Sequence, residues 1–149
     1  MSIKKISALA IAGLLAISAA ATVAQDAFVA PATPEEAVEM RQALMKEDGG
    51  IVRGLAGLSG AEAVTALNTV LTNYTHIPDL FPEGSIVGDS KALPAIWDNW
   101  DAFTAIVETG KTAATAGIAA AEAGDAAGYG AALQALGATC GACHQQFRS

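Results

Sequence analysis

From residue 34 onward, apolar residues recur at helical spacing, and no segment alternates convincingly as a strand would. Thr33-Pro34-Glu35-Glu36 opens the first helical stretch. Thr33 suits a cap, Pro34 the first helical position, and Glu36 the reciprocal place in a capping box. Met40, Leu44, Ile51, Leu55 and Leu58 follow as its apolar stripe, and Gly49-Gly50 predicts an interruption with a kink. Ser59-Gly60-Ala61-Glu62 predicts a second capping box, opening a helix with Val64, Leu67 and Leu71 on one face and an end near Tyr74. Residues 76–93 contain Pro78, Pro82, Gly84 and Gly88 and read as a surface loop. Pro94 starts a third helix, with Ile96, Trp100, Phe103 and Val107 on one face, continuing through alanine-rich sequence to about residue 123. Gly124-Asp125 breaks and recaps the chain, and a fourth helix runs from 126 to about 147. Four helices with mostly short connections predict an all-α, antiparallel four-helix bundle.

The N-terminus follows a different pattern. Lys4 and Lys5 precede an uncharged apolar run at 6–17, and small residues lead up to Ala24. This is the layout of a secretory signal, giving a signal peptide at 1–24 and a single domain at 25–149. A membrane anchor is the competing reading, but the run is shorter than the roughly 20 residues a span requires. The expected mature form is exported, with the periplasm as its compartment and no membrane segment. The 149-residue chain carries a net charge of −7. Without residues 1–24, six basic side chains face fifteen acidic ones. Such a balance disfavours nucleic acid and anionic membranes as partners.

Only two cysteines are present, three residues apart near the C-terminus, which argues against a disulfide-stapled domain. They belong to the run Cys140-Gly141-Ala142-Cys143-His144, the attachment signature of c-type haem. On a helix, residues three and four apart share a face, so both thiols and the imidazole project together. Two thiols can then form thioethers with the haem vinyl groups while His144 reaches the iron from the proximal side. A closed zinc centre would need a fourth ligand, and His76 is the only spare imidazole. A thioredoxin-like pair would sit at a helix start, whereas this pair lies late in the last helix. One haem c per chain is therefore expected, held by Cys140 and Cys143. Gly130, Gly137 and Gly141 lie near the His144 stripe, where a flat macrocycle or a neighbouring helix would reward the missing side chains. Trp97, Trp100 and Phe103 are candidates to pack beside the haem or in the ordinary core.

What faces His144 across the iron decides the function. Met40, Met45 and His76 are the candidates. The two methionines point about 140° apart around their helix, Met40 along the core stripe and Met45 beside it. His76 reads as a surface residue at the loop edge. Residue mechanics leave Met45 open between a distal ligand and a noncoordinating lid.

The sequence resembles the class II cytochromes c, cytochrome c′ and its low-spin relatives. The resemblance is carried by residues 140–148, by Arg41-Gln42-Ala43-Leu44-Met45-Lys46 and by Leu93-Pro94-Ala95-Ile96-Trp97. It implies that Arg41 and Gln42 lie near the haem propionates, that Met45 stands above the iron, and that the chain forms a homodimer through its first two helices. In the low-spin relatives a methionine at this position ligates the iron. In cytochrome c′ proper the residue blocks the face without binding, leaving iron open to small gases. Two functions follow: an electron carrier with His144/Met45 ligation, whose acidic surface docks a basic redox partner protein, or a five-coordinate binder of nitric oxide or carbon monoxide. No motif sets a second histidine or a carboxylate beside the haem, so enzymatic turnover is not expected.

Overall fold

A computed structural model describes residues 28–149; the signal-peptide reading of residues 1–24 lies outside the described residues. The chain forms α1 (Pro34–Gly54), α2 (Gly60–His76), a short α3 (Ala95–Asp98), α4 (Trp100–Ala123) and α5 (Ala126–Phe147). Single 3-10 turns occupy Leu55–Gly57 and Pro78–Leu80. Helices α1, α2, α4 and α5 make the antiparallel four-helix bundle.

The helix ends show which local signals operate. The Thr33 hydroxyl accepts from the Glu36 N–H at 3.1 Å, while the Glu36 carboxylate accepts from Ala32 N–H at 2.7 Å, one residue before the place a capping box requires. Gly49-Gly50 neither interrupts nor ends α1, which runs unbroken to Gly54. Ser59 precedes α2 without a side-chain capping bond, so the second capping box does not form. The buried stripe of α2 is Ala63, Leu67, Val70 and Tyr74, whereas Val64 and Leu71 sit half-buried at its margin. Between α4 and α5 the expected punctuation holds. Gly124 adopts φ +67°, which favours glycine, and the Asp125 carboxylate accepts from Gly128 N–H at 2.9 Å.

The third helix is divided. After α3, Asn99 leaves helical geometry (φ −133°, ψ 49°), and α4 begins one residue later. The core runs through Leu55, Leu67, Val70, Phe103, Val107 and Leu136. Phe103 is its aromatic hub, edge-on to Phe81 and Phe147 at ring-centroid distances of 5.0 and 5.6 Å. Helices α2, α4 and α5 pack closely along their lengths, helped by two glycines on α4. A side chain at Gly110 would overlap the Tyr74 ring, and one at Gly117 would press on Leu67. Helix α1 rests instead on α2 and on the two 3-10 turns.

Residues 76–93 are not simply a surface loop. Ile77, Leu80, Phe81 and Ser85 are buried, and Arg41 of α1 ties the segment down. Its Nη1 donates to Leu80 O (3.1 Å) and Ser85 Oγ (2.8 Å); its Nη2 donates to Ser85 O and Ser90 Oγ (2.7 Å). The guanidinium also lies 4.7 Å from the Phe81 ring centroid, a cation–π distance. Further on, the chain pairs with the C-terminus: Leu93 N–H donates to Phe147 O (3.0 Å) and Ser149 N–H to Lys91 O (2.9 Å), around an isolated antiparallel bridge between Ala92 and Arg148. At the far end of α2, Phe28 stacks on His76 with ring centroids 3.8 Å apart and planes 9° from parallel.

Candidate haem site

Where α1, the 81–92 segment and the last two turns of α5 converge, they enclose a cavity of about 460 Å³. Helix α1 contributes Arg41, Gln42, Met45 and Lys46, which recur at helical spacing on one side. Helix α5 contributes Cys143, His144 and Phe147, again within one turn of each other. Phe81, Ile96 and Phe103 add apolar wall, and Asp89, Lys91 and Arg148 stand at the polar part of the lining. A thioether, an imidazole and a thiol thus line one apolar chamber, on elements that make little other contact. A soft sulfur and a nitrogen ligand reaching the same space suit haem iron. The apolar walls suit a flat macrocycle, and the cationic lining suits the carboxylates at its edge.

The environment acts on each group. Burial pushes the Cys143 thiol up to about 11, and the neighbouring Cys140 adds to that effect. Burial and the Arg148 charge hold His144 below the ordinary imidazole range, favouring the neutral form that binds metal. Cys140 lies outside the cavity lining. Its sulfur sits 3.5 Å from the Tyr74 hydroxyl and 3.5 Å from Leu136 O, on the side of α5 facing α2. Cys140 and Cys143 form no disulfide with each other. Burial, followed by the bond to Cys140, raises the Tyr74 phenol well above its ordinary value.

Of the residues expected near the haem, Arg41, Gln42, Met45, Cys143 and His144 come together in one lining, and Cys140 is one helical turn away. Arg41 commits all four terminal N–H groups to the loop, which leaves Nε–H as its free donor. Gln42 donates to Asp89 Oδ1 at 3.1 Å. Among the aromatic candidates only Phe103 lines the cavity. Trp97 is half-buried and donates from Nε1 to Phe81 O at 3.0 Å, while Trp100 is exposed. Met40 packs against the core and His76 against Phe28, both away from the cavity. Side chains built on Gly130, Gly137 or Gly141 would meet no protein atom within 4 Å, so no neighbouring helix requires those glycines. Sequence reasoning missed Phe81, Lys91 and Phe147 as lining residues. Their signal lies in the pairing of the 91–93 segment with the chain end, a long-range contact that local patterns do not encode.

Comparison with known proteins identifies the family. The profile of the family described as Cytochrome C' matches residues 31–148. Cytochrome c-556 of Agrobacterium tumefaciens (strain II Chrys) is 45% identical over 118 residues, covering 74% of this chain and 95% of the relative. A cytochrome c' with an unusual ligand-controlled dimer dissociation superposes with a TM-score of 0.72 at 27% identity, covering 80% of this chain and 99% of that one. A nitric oxide complex of a variant of cytochrome c prime from Alcaligenes xylosoxidans gives a TM-score of 0.66 at 30% identity, covering 79% and 98%.

Proposed function

The chain belongs to the cytochrome c′ family, whose cofactor is covalently attached haem c, and from that premise we propose that it is an electron carrier with axial ligands His144 and Met45. The observation that carries this reading is that Met45 on α1 and His144 on α5 line the same chamber. Haem c supplies a one-electron iron couple when bound. Cys140 and Cys143 would hold it as thioethers, with His144 one residue on from Cys143 and four from Cys140 on the same helix to reach the iron. Met45 would offer the iron a soft thioether, which would raise the potential and limit change at the metal between oxidation states. Phe81, Phe103 and Phe147 keep water from the apolar part of the chamber. The Arg41 Nε–H and the Gln42 amide are the donors assigned to the propionate region. The signal at 1–24, the domain at 25–149, export to the periplasm, a homodimer and the absence of enzymatic turnover belong to the same reading. Among the described residues no helix is long and apolar enough to cross a membrane.

A second reading has one specific observation in its favour: the likeness to a cytochrome c prime solved with nitric oxide. In that case Met45 is a lid that moves aside for a diatomic ligand. The absorption spectrum of the oxidised protein separates the two. Low-spin bands with a weak long-wavelength sulfur-to-iron transition support the carrier, and Met45→Ala then converts the spectrum to high spin. A high-spin native spectrum that responds at once to nitric oxide overturns Met45 ligation.

A further inference from the structure

The charges of this protein are strongly segregated. After residue 27 the chain holds six Lys and Arg side chains against fourteen Asp and Glu. Four of the six cations, Arg41, Lys46, Lys91 and Arg148, line the haem cavity, and among the described residues Asp89 is the one carboxylate that does. The lining therefore carries a surplus of three positive charges on a molecule that is otherwise densely negative. Two haem propionates would reduce that surplus to one without changing its sign.

Burial divides the four cations by role. Arg41 is buried and bonded to the 80–90 segment, whereas Lys46, Lys91 and Arg148 are exposed. The backbone that carries two of the exposed cations is paired, since Lys91 O accepts from Ser149 N–H and Ala92 bridges Arg148. Lys46 stands beside Met45 on α1 and approaches the same opening from the other side. Among the described residues, none of the three has a carboxylate partner within salt-bridge distance. Lys111, remote from the cavity, by contrast pairs with Glu108 at 2.8 Å.

We propose that the mouth of this cavity is the docking surface for the acidic face of a redox partner protein, with Lys46, Lys91 and Arg148 as its electrostatic contacts. Net charge alone points to a basic partner, but an encounter is steered by the local field where the two molecules meet. The acidic remainder of the surface repels the same partner elsewhere and so orients it toward the opening. A partner seated there faces the chamber that holds Met45 and His144. The inference rests on the carrier reading for the electron, and on charge placement alone for the docking.

The test is the oxidation of the reduced holoprotein by hexacyanoferrate(III), which takes one electron and becomes hexacyanoferrate(II). Steering by the mouth makes the rate fall at least about twofold as ionic strength rises from about 10 to 200 mM. Control by the net charge makes it rise, and a rise or a flat response overturns the proposal. Tris(phenanthroline)cobalt(III), a cation, shows the opposite slope if the proposal holds. Lys46→Glu with Lys91→Glu inverts the hexacyanoferrate slope, while Lys111→Glu preserves its sign. A second readout needs no electron transfer. Oligo-glutamate added to the protein shifts the backbone amide resonances of Lys46, Lys91 and Arg148 ahead of that of Lys111, and equal or absent shifts overturn the proposal. Protein lacking thioether-linked haem would sink the carrier reading and leave this titration intact, so the two failures are distinguishable.

Discussion

Asp48 turns inward from α1, with one carboxylate oxygen held by Asn73 Nδ2 at 2.8 Å and the other buried without a partner. Burial raises its pKa to about 6; the Asn73 bond pulls it down and neighbouring Glu47 pushes it up. An acid whose pKa is higher in the folded than in the unfolded chain favours folding when protonated. The contribution of Asp48 to stability should therefore be greatest below about pH 4, fall as pH rises toward about 6, and level off above. After allowance for solvent screening, the loss is about 1–2 kcal/mol, read as a drop of several degrees in Tm between pH 4.5 and 7.5. Asp48→Asn should flatten that profile; an unchanged profile would assign the effect elsewhere. Glycines allow a second contrast at the same scale. Gly50 is exposed within an unbroken helix and a side chain there meets nothing within 4 Å, so Gly50→Ala should stabilise by about 0.5–1 kcal/mol. Gly110→Ala forces the alanine methyl into the Tyr74 ring and should destabilise by about 1–3 kcal/mol, measured by denaturant unfolding. The sequence marks Gly49-Gly50 as the conspicuous pair, yet the glycines with a packing role are Gly110 and Gly117, because the approach of α2 to α4 gives them one.

Among the elements, the segment between α2 and α3 depends most on a single side chain. Arg41→Ala removes four hydrogen bonds and the Phe81 contact and leaves Leu80 O and Ser85 without their donor. The expected cost is on the order of 2–4 kcal/mol, with new protease cleavage between residues 82 and 91. Arg41→Lys should recover only part of it, since an ammonium cannot reproduce the planar fork. This segment also shows why the sequence was legible in some places and not in others. α5 and the α4–α5 turn are readable because their signals are local: a glycine at positive φ, an aspartate cap, and three ligand-type side chains on one turn. Segment 76–93 carries proline and glycine in the density of an exposed loop, and nothing local reveals that an arginine some forty residues earlier buries it. The stripe of α2 lies one position off for a similar reason, since the neighbours on two sides choose which residues they cover. Asn99 divides the third helix although the apolar spacing runs straight across it.

Across the whole molecule, α1 is the wall least supported by protein contacts, because the cavity lies between it and α5. A macrocycle seated there adds apolar contact to both helices. Preventing attachment with Cys140→Ala and Cys143→Ala should therefore speed amide hydrogen exchange in α1 by about tenfold or more while leaving α4 much less affected. Uniform acceleration in both helices would show that the cofactor supports the bundle evenly. The N-terminal arm can be followed independently. Phe28 lies flat on His76 at 3.8 Å, which places the imidazole protons in the shielding cone of a phenyl ring. Their proton resonances should lie upfield of a free histidine and return downfield in Phe28→Ala, which makes this one ring pair a magnetic gauge of whether Phe28 stays seated on the bundle.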